Sequence, residues 1–217
     1  MKKLILWDLD GTLIDTLEDL GAAVNHALSL RGLHPLTHTE YRKMVGHGVR
    51  HLVQQALESA CPTPPDAAGV DAALADFTAY YSAHIDVYTR PYAGITELLM
   101  ELRDSGMRMA VTSNKFQEGT ERLVRTFFPH IPFVAVLGNK PGCPLKPSPE
   151  IVQTVLSQAA VAPEDALLVG DSPTDMRTAA NGGIDAIAVS WGYRTAEELA
   201  GHRLVSSVDA LREELLK

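Results

Sequence analysis

The apolar run Leu4-Ile5-Leu6-Trp7 ends in two aspartates one residue apart, Asp8 and Asp10, with Gly11-Thr12 next in the chain. The run reads as a buried strand. Hiding charge at its end would cost several kcal/mol, so the acids are expected at an open edge, where Gly11 and Thr12 turn the chain. Carboxylates placed there could attack an electrophile, carry a proton or ligate a hard cation. Later strand-like runs end in complementary groups. Met107-Arg108-Met109-Ala110-Val111 leads into Thr112-Ser113-Asn114-Lys115, and Ala166-Leu167-Leu168-Val169 leads into Gly170-Asp171-Ser172-Pro173-Thr174-Asp175. Between them Lys146 precedes a helix start, with Ser148 expected as N-cap and Pro149 as the first helical residue. If all these ends open on one rim of a parallel sheet, four acids, a hydroxyl, an amide and two ammonium groups meet where α/β folds bind ligands.

The segments Asp8-x-Asp10-Gly11-Thr12, Ser113-Asn114, Lys146-Pro147 and Gly170-Asp171-Ser172-x-x-Asp175 stand in the order of the four motifs of the haloacid-dehalogenase-like superfamily. The chain resembles a helical-cap member of that superfamily over most of its length. The resemblance implies a Rossmann-like core, phosphoryl transfer and Mg²⁺ as cofactor. A phosphomonoester is anionic and resists attack, so a catalyst must align a nucleophile and neutralise charge on the transferring group. Asp8 suits the nucleophile, because an acyl phosphate splits one hard step into two easier ones. Asp10 can give a proton to the leaving alkoxide and then take one from water.

Mg²⁺ takes oxygen ligands and keeps several waters, so Asp8 and Asp171 fit as its carboxylate ligands. By resemblance the backbone carbonyl of Asp10 is a third ligand, and Asp175 holds the cation directly or through water. An acid near a helix start, such as Asp175, also has a purely structural reading through the macrodipole. Ser113 and Lys146 would bind the non-bridging phosphate oxygens, and Asn114 would orient the nucleophile or the phosphate. Lys115, at a strand exit, reads as a solvated surface lysine.

A chain of 217 residues can hold one good core plus a smaller unit. Its net charge is −8 and it has no lysine or arginine run, which argues against a nucleic-acid partner. No stretch approaches membrane-spanning length, and Asp8 interrupts the apolar segment after Lys2-Lys3 too early for a signal peptide. Cys61 and Cys143 have no metal-like spacing and fit a reducing cytoplasm. A monomer or a homodimer is expected.

After Thr12 the pattern turns helical. Leu17, Leu20, Val24 and Leu28 follow Thr16, the expected cap; Val49, Leu52, Val53, Ala56 and Leu57 form a second apolar face, and Val70, Leu74, Phe77 and Tyr81 a third. Such a stretch is too long for a simple crossover and reads as an inserted domain. The expected division is a core of residues 1–14 and 88–217 around a helical cap of residues 15–87. Two short linkers beside a site would let the cap close over it. Beyond the insertion, helical and strand patterns alternate through Phe133–Leu137, Ser148–Ala159 and Ala186–Val189, which implies an α/β fold with a mostly parallel sheet flanked by helices.

Substrate choice is expected from the cap. Gly46-His47-Gly48 precedes the second helical face, where free backbone N–H groups could meet an anionic tail. The Gly-x-Gly and the later Trp191-Gly192-Tyr193 resemble phosphoglycolate phosphatases of the superfamily, implying a small phosphorylated metabolite, 2-phosphoglycolate, as substrate. Arg50 reads as a partner for a substrate carboxylate or as a solvated helix residue. Other readings are a sugar-phosphate mutase resembling β-phosphoglucomutase, or a phosphatase for pyrophosphate or a sugar phosphate. Outside enzymes, a phospho-aspartate receiver shares the aspartate, hydroxyl and lysine, but it needs neither Asp10 nor a helical insertion.

Overall fold

All four side chains of strand β1 (Leu4–Trp7) are fully buried, because the strand lies in the middle of a sheet with helices to cover it. The computed structural model describes residues 2–217. After β1 the chain continues through a short strand β2 (Ile14–Asp15) and the helices α1 (Leu17–Ser29), α2 (His38–Met44), α3 (Val49–Ala60) and α4 (Ala67–His84). It resumes with β3 (Arg90–Pro91), α5 (Ile95–Asp104), β4 (Arg108–Phe116), α6 (Gln117–Phe127), β5 (Ala135–Asn139) and α7 (Glu150–Ala159). It ends with β6 (Ala166–Gly170), α8 (Pro173–Gly182), β7 (Asp185–Val189), β8 (Leu204–Val205) and α9 (Val208–Leu215). Two compact units result, Met1–Asp15 with Pro91–Lys217, and Thr16–Arg90.

In the first unit six strands pair in the order β5-β4-β1-β6-β7-β8, and every pairing is parallel. Successive strands are added outward on one side of β1, and the chain then crosses back to build the other side. That is the strand order of a Rossmann-like sheet, and its switch point lies between β1 and β6. One apolar layer, with Leu4, Leu6, Val152, Val155, Leu168 and Met176, packs α7 and α8 against the sheet. Each fully buried aliphatic side chain of this kind contributes about 1.5–3 kcal/mol. The fold is an α/β, Rossmann-like parallel sheet flanked by helices, with an inserted α-helical unit, as the alternation in the sequence implies.

Within the inserted unit Leu20, Val24, Leu52, Val53, Phe77 and Tyr81 are buried together with Leu28 and Leu57. Asp19 of α1 is buried and accepts hydrogen bonds from the backbone N–H of Tyr88 (3.1 Å) and of Thr89 (2.9 Å) and from Thr89 Oγ1 (2.7 Å). One carboxylate thereby ties the start of the insertion to its end. In the first unit Tyr92 N–H donates to Leu13 O at 3.1 Å, so the points where the core chain leaves and returns are neighbours.

Several elements differ from the sequence reading. The helix expected from Ser148 begins at Glu150, with Pro149 in the capping position, because Ser148 N–H closes a turn onto Leu145 O at 2.9 Å. The strand expected at Phe133–Leu137 runs from Ala135 to Asn139, and Phe133 N–H instead closes a turn onto Ile131 O at 3.0 Å. Helix α2 is additional; it buries only Tyr41 and so shows little apolar periodicity, but its Thr37/Glu40 capping box is a local start signal.

Candidate active site

The sheet register sets the level of the site. Trp7 stands beside Val111 on one neighbour and Val169 on the other, so Asp8, Thr112 and Gly170 emerge from adjacent strands at one height. Asp8 N–H still donates to Val169 O at 2.9 Å, which fixes its backbone to β6. Beyond it Gly11 N–H donates to Ile14 O at 2.9 Å and Ile14 N–H to Leu9 O at 3.1 Å, closing a tight turn. Gly11 has φ +85°, and a Cβ there would lie 2.8 Å from Asp171 Cγ, so both the turn and the neighbouring acid require glycine.

Lys146 is the hub. Its Nζ donates to Asp8 Oδ1 at 2.7 Å, to Asp175 Oδ1 at 2.6 Å and to Thr112 O at 3.0 Å. Its backbone is held in turn by Asn114, whose Oδ1 accepts from Lys146 N–H at 2.8 Å and whose Nδ2 donates to Lys146 O at 3.1 Å. The Asn114 amide therefore serves the loop that carries the lysine. Asp175 has two tasks as well: its Oδ2 accepts from Ser172 Oγ (2.6 Å) and Ser172 N–H (3.1 Å) to cap α8, while Oδ1 meets Lys146. The helix-capping reading and the site reading hold together for this residue.

Asp171 completes the cluster. It follows β6, and its Oδ2 accepts from Tyr193 N–H at 2.6 Å. One carboxylate oxygen from each of Asp8, Asp171 and Asp175 lies within 4.8 Å of the others, and all three residues are buried. Burial, then the charge of Asp175, push the Asp8 carboxyl well above the usual range against the pull of Lys146. Burial, then Asp175, push Asp171 up to about 7. Burial opposes the charge on Lys146, but Asp175 and Asp8 outweigh it and raise its pKa. A divalent cation on these oxygens would offset both the burial and the mutual repulsion that raise the two acids, so the donor set fits one.

The loop Trp191-Gly192-Tyr193 closes the other side. Trp191 Nε1 donates to Thr12 O at 3.1 Å, and a Cβ on Gly192 would run into Gly11 O and the Asp171 side chain. These residues brace the turn and the acid from behind, a contact that sequence spacing does not reveal.

Strand β4 differs most from expectation. It does not stop before Ser113 but continues to Phe116, and its pairing with β5 slips between Thr112 and Phe116. The polar segment Ser113–Lys115 thus sits in a bulge, which re-aims side chains that would otherwise alternate. Ser113 Oγ accepts from Lys115 N–H at 3.1 Å, which leaves its hydroxyl proton for donation to an anion. Lys115 is not a solvated surface residue: its side chain is 2% exposed, and its Nζ pairs with Asp10 Oδ1 at 3.0 Å. The bulge is pinned by Gln117, whose Oε1 accepts from Gly138 N–H at 2.6 Å and whose Nε2 donates to Val136 O at 2.9 Å. Gly138 itself has no room for a side chain, since a Cβ would lie 2.7 Å from Lys115 O.

Of the sequence-predicted residues, Asp8, Lys146, Asp171 and Asp175 come together around one ammonium group, and Asp10 lies on Lys115. Gly46, His47 and Gly48 belong to the inserted unit, at the start of α3, where the His47 and His51 rings meet edge to face at 5.1 Å. Arg50 pairs with Asp71 at 2.6 Å in an exposed bridge within that unit.

The protein is of the α/β class, with an acid cluster and a buried lysine at the switch point of a Rossmann-type sheet, and comparison with known proteins gives the family. The profile of the haloacid dehalogenase-like hydrolases matches residues 5–189. A phosphoglycolate phosphatase from Mesorhizobium japonicum is 33% identical over 216 residues, covering 99% of this chain and 95% of the relative. A crystal structure from Lactobacillus delbrueckii subsp. bulgaricus, provisionally named a phosphoglycolate phosphatase, superposes with a TM-score of 0.92 at 32% identity, covering 99% of each chain. CbbY from Rhodobacter sphaeroides, in a substituted form bound to xylulose-1,5-bisphosphate, superposes with a TM-score of 0.77 at 27% identity, covering 95% of each chain. The chain belongs to the haloacid dehalogenase-like hydrolase family and is an enzyme of the phosphoric monoester hydrolase class. Among the described residues no helix is long and apolar enough to cross a membrane.

Proposed function

We propose that the protein is a Mg²⁺-dependent phosphatase that hydrolyses 2-phosphoglycolate through an aspartyl phosphate on Asp8. The observation that carries this reading is Lys146, which holds Asp8 and Asp175 at once beside Asp171 at the switch point of the sheet. Asp8 and Asp171, with Asp10 and Asp175 in support, would hold the cation, which when bound supplies positive charge to the transferring group. An Asp8 oxygen attacks phosphorus as the ester P–O bond breaks, and Asp10 gives its proton to the departing alkoxide. Water then attacks the phosphorus of the acyl phosphate, Asp10 takes the water proton, and inorganic phosphate leaves with Asp8 restored. Lys146 and the Ser113 hydroxyl meet the non-bridging oxygens, and the charge of Lys146 lets an anion approach four carboxylates. The relatives named phosphoglycolate phosphatase support the substrate. The residues Gly46, His47 and Gly48 of the inserted unit are assigned to its recognition, and the two unpaired cysteines support a cytoplasmic location.

The test is phosphate release from 2-phosphoglycolate, β-glucose 1-phosphate, pyrophosphate and sugar phosphates, with Mg²⁺ and with chelator. Metal-dependent kcat/KM highest for 2-phosphoglycolate is expected, with a loss of ~10⁴-fold or more in Asp8→Asn. A second reading, a sugar phosphate as substrate, is favoured by the xylulose-1,5-bisphosphate complex of the CbbY relative. It wins if a sugar phosphate is the better substrate. Glucose 6-phosphate formed from β-glucose 1-phosphate would mark a mutase, and substantial activity in pure Asp8→Asn protein would remove the mechanism altogether.

A further inference from the structure

Lys115 has no part in the phosphatase mechanism above, yet it is as buried as Lys146. The two lysines divide the two acids between them. Lys146 Nζ holds Asp8 Oδ1 at 2.7 Å, and Lys115 Nζ holds Asp10 Oδ1 at 3.0 Å. Burying an ammonium costs several kcal/mol, and a buried ion pair seldom returns more than an apolar pair of the same size would. Stability alone is therefore a poor reason for a lysine here. The surroundings also fix Lys115 with unusual care: its N–H bonds Ser113 Oγ at 3.1 Å, its carbonyl accepts from Thr120 Oγ1 at 3.3 Å, and Gly138 opposite leaves space for that carbonyl. Ser113, Lys115 and Asp10 thus form one connected unit running from the bulge of β4 to the turn after β1.

We infer that Lys115 is a positioning residue for the acid/base Asp10, holding Oδ1 so that Oδ2 carries the proton to the leaving oxygen. This inference rests on the phosphatase reading above and extends it to the step in which the ester bond breaks. An alkyl ester releases a strongly basic alkoxide and needs the proton as the bond breaks, whereas an aryl ester such as p-nitrophenyl phosphate releases a stable phenolate and does not. A misplaced Asp10 must therefore penalise the first and spare the second. Because kcat/KM reports the steps through formation of the aspartyl phosphate, it isolates this demand from the later attack of water.

The experiment compares kcat/KM for 2-phosphoglycolate and for p-nitrophenyl phosphate in wild type, Lys115→Met, Lys115→Arg, Asp10→Asn and the Asp10→Asn/Lys115→Met double variant. Circular dichroism confirms the fold of each, and Lys115→Gln replaces the methionine variant if that one does not fold. The expected result is a loss of ~30-fold or more on 2-phosphoglycolate with under ~3-fold on p-nitrophenyl phosphate, carried by kcat and partly restored by arginine. The double variant should lose no more than Asp10→Asn alone, since the lysine acts through the acid. An equal fall on both esters, or a loss confined to KM for 2-phosphoglycolate, would overturn the positioning role while leaving the phosphatase intact. Wild-type protein that released no phosphate from either ester would instead sink the functional reading and this inference with it.

Discussion

Strand β1 stops at Trp7 and hands its two acids to a tight turn, whereas β4 runs on to Phe116 and carries its polar groups inside the strand. The turn is a local object: Leu9 O, Gly11 and Ile14 close it within a few residues. The bulge is not, because its shape depends on β5 and on Gln117 reaching across to Gly138 and Val136. Under the proposed function the turn delivers the nucleophile Asp8, which is also one of the three acids in the oxygen cluster that fits a cation. The bulge delivers the hydroxyl and the lysine that stands on the second acid. If this division is right, damage to the turn should appear as lost metal-dependent chemistry for every ester, and damage to the bulge as a changed preference among leaving groups.

The largest effect is expected from Gly11→Ala. An L side chain at φ +85° costs about 1–2 kcal/mol, and its Cβ would press on Asp171, 2.8 Å from Cγ. Activity on alkyl and aryl esters alike should fall ~100-fold or more, with a higher Mg²⁺ concentration needed for half-maximal rate. Gly138→Ala should follow with a loss of ~10-fold that is larger for an alkyl than for an aryl ester, because its Cβ would displace the Lys115 carbonyl. Equal losses on the two esters in Gly138→Ala would erase the contrast between turn and bulge.

Two smaller effects concern stability. Asp171 is held at about 7 in the folded chain against an ordinary 3.8, so between those values the folded state keeps a proton that the unfolded state has lost. Its contribution to stability therefore falls as pH rises through that window. In chelator, Asp171→Asn should melt roughly 4 °C or more above wild type at pH 8, with the gain shrinking toward pH 4, as read by differential scanning calorimetry at several pH values. An unchanged difference across pH would show that the acid is not strained by its neighbours. Least of all, Thr12→Val should leave the melting temperature unchanged or up to ~3 °C higher, because Thr12 Oγ1 is buried without a hydrogen-bond partner.

The sequence made the turn legible for the same reason that it is local. Asp8, Asp10 and Asp171 stand at ends of apolar runs, and parallel strands must bring such ends to one rim, while Lys146 is marked by the helix start that follows it. Lys115 was legible only as a polar residue after a strand, since its burial depends on a slip in pairing that no run of neighbouring residues encodes. Asn114 looks in sequence like a group for the substrate, but its amide is engaged by a lysine backbone far along the chain. Strand β8 and helix α9 leave little trace in the sequence, because Leu204–Val205 is too short to show a period and α9 buries only Leu211 and Leu215. The Tyr193 N–H that fixes Asp171 has no signature at all, because any residue but proline supplies one.

The hydrogen bond from Tyr92 to Leu13 and the grip of Asp19 on Tyr88 and Thr89 give the insertion one exit and one entry side by side. A segment pinned in this way is an exchangeable cartridge. The core can lose it for a short turn, or accept another of different length, at a loop-closure cost that grows only slowly with length. Under the proposed function, substrate range can thus diverge by swapping the cartridge while the strand ends of the core stay untouched.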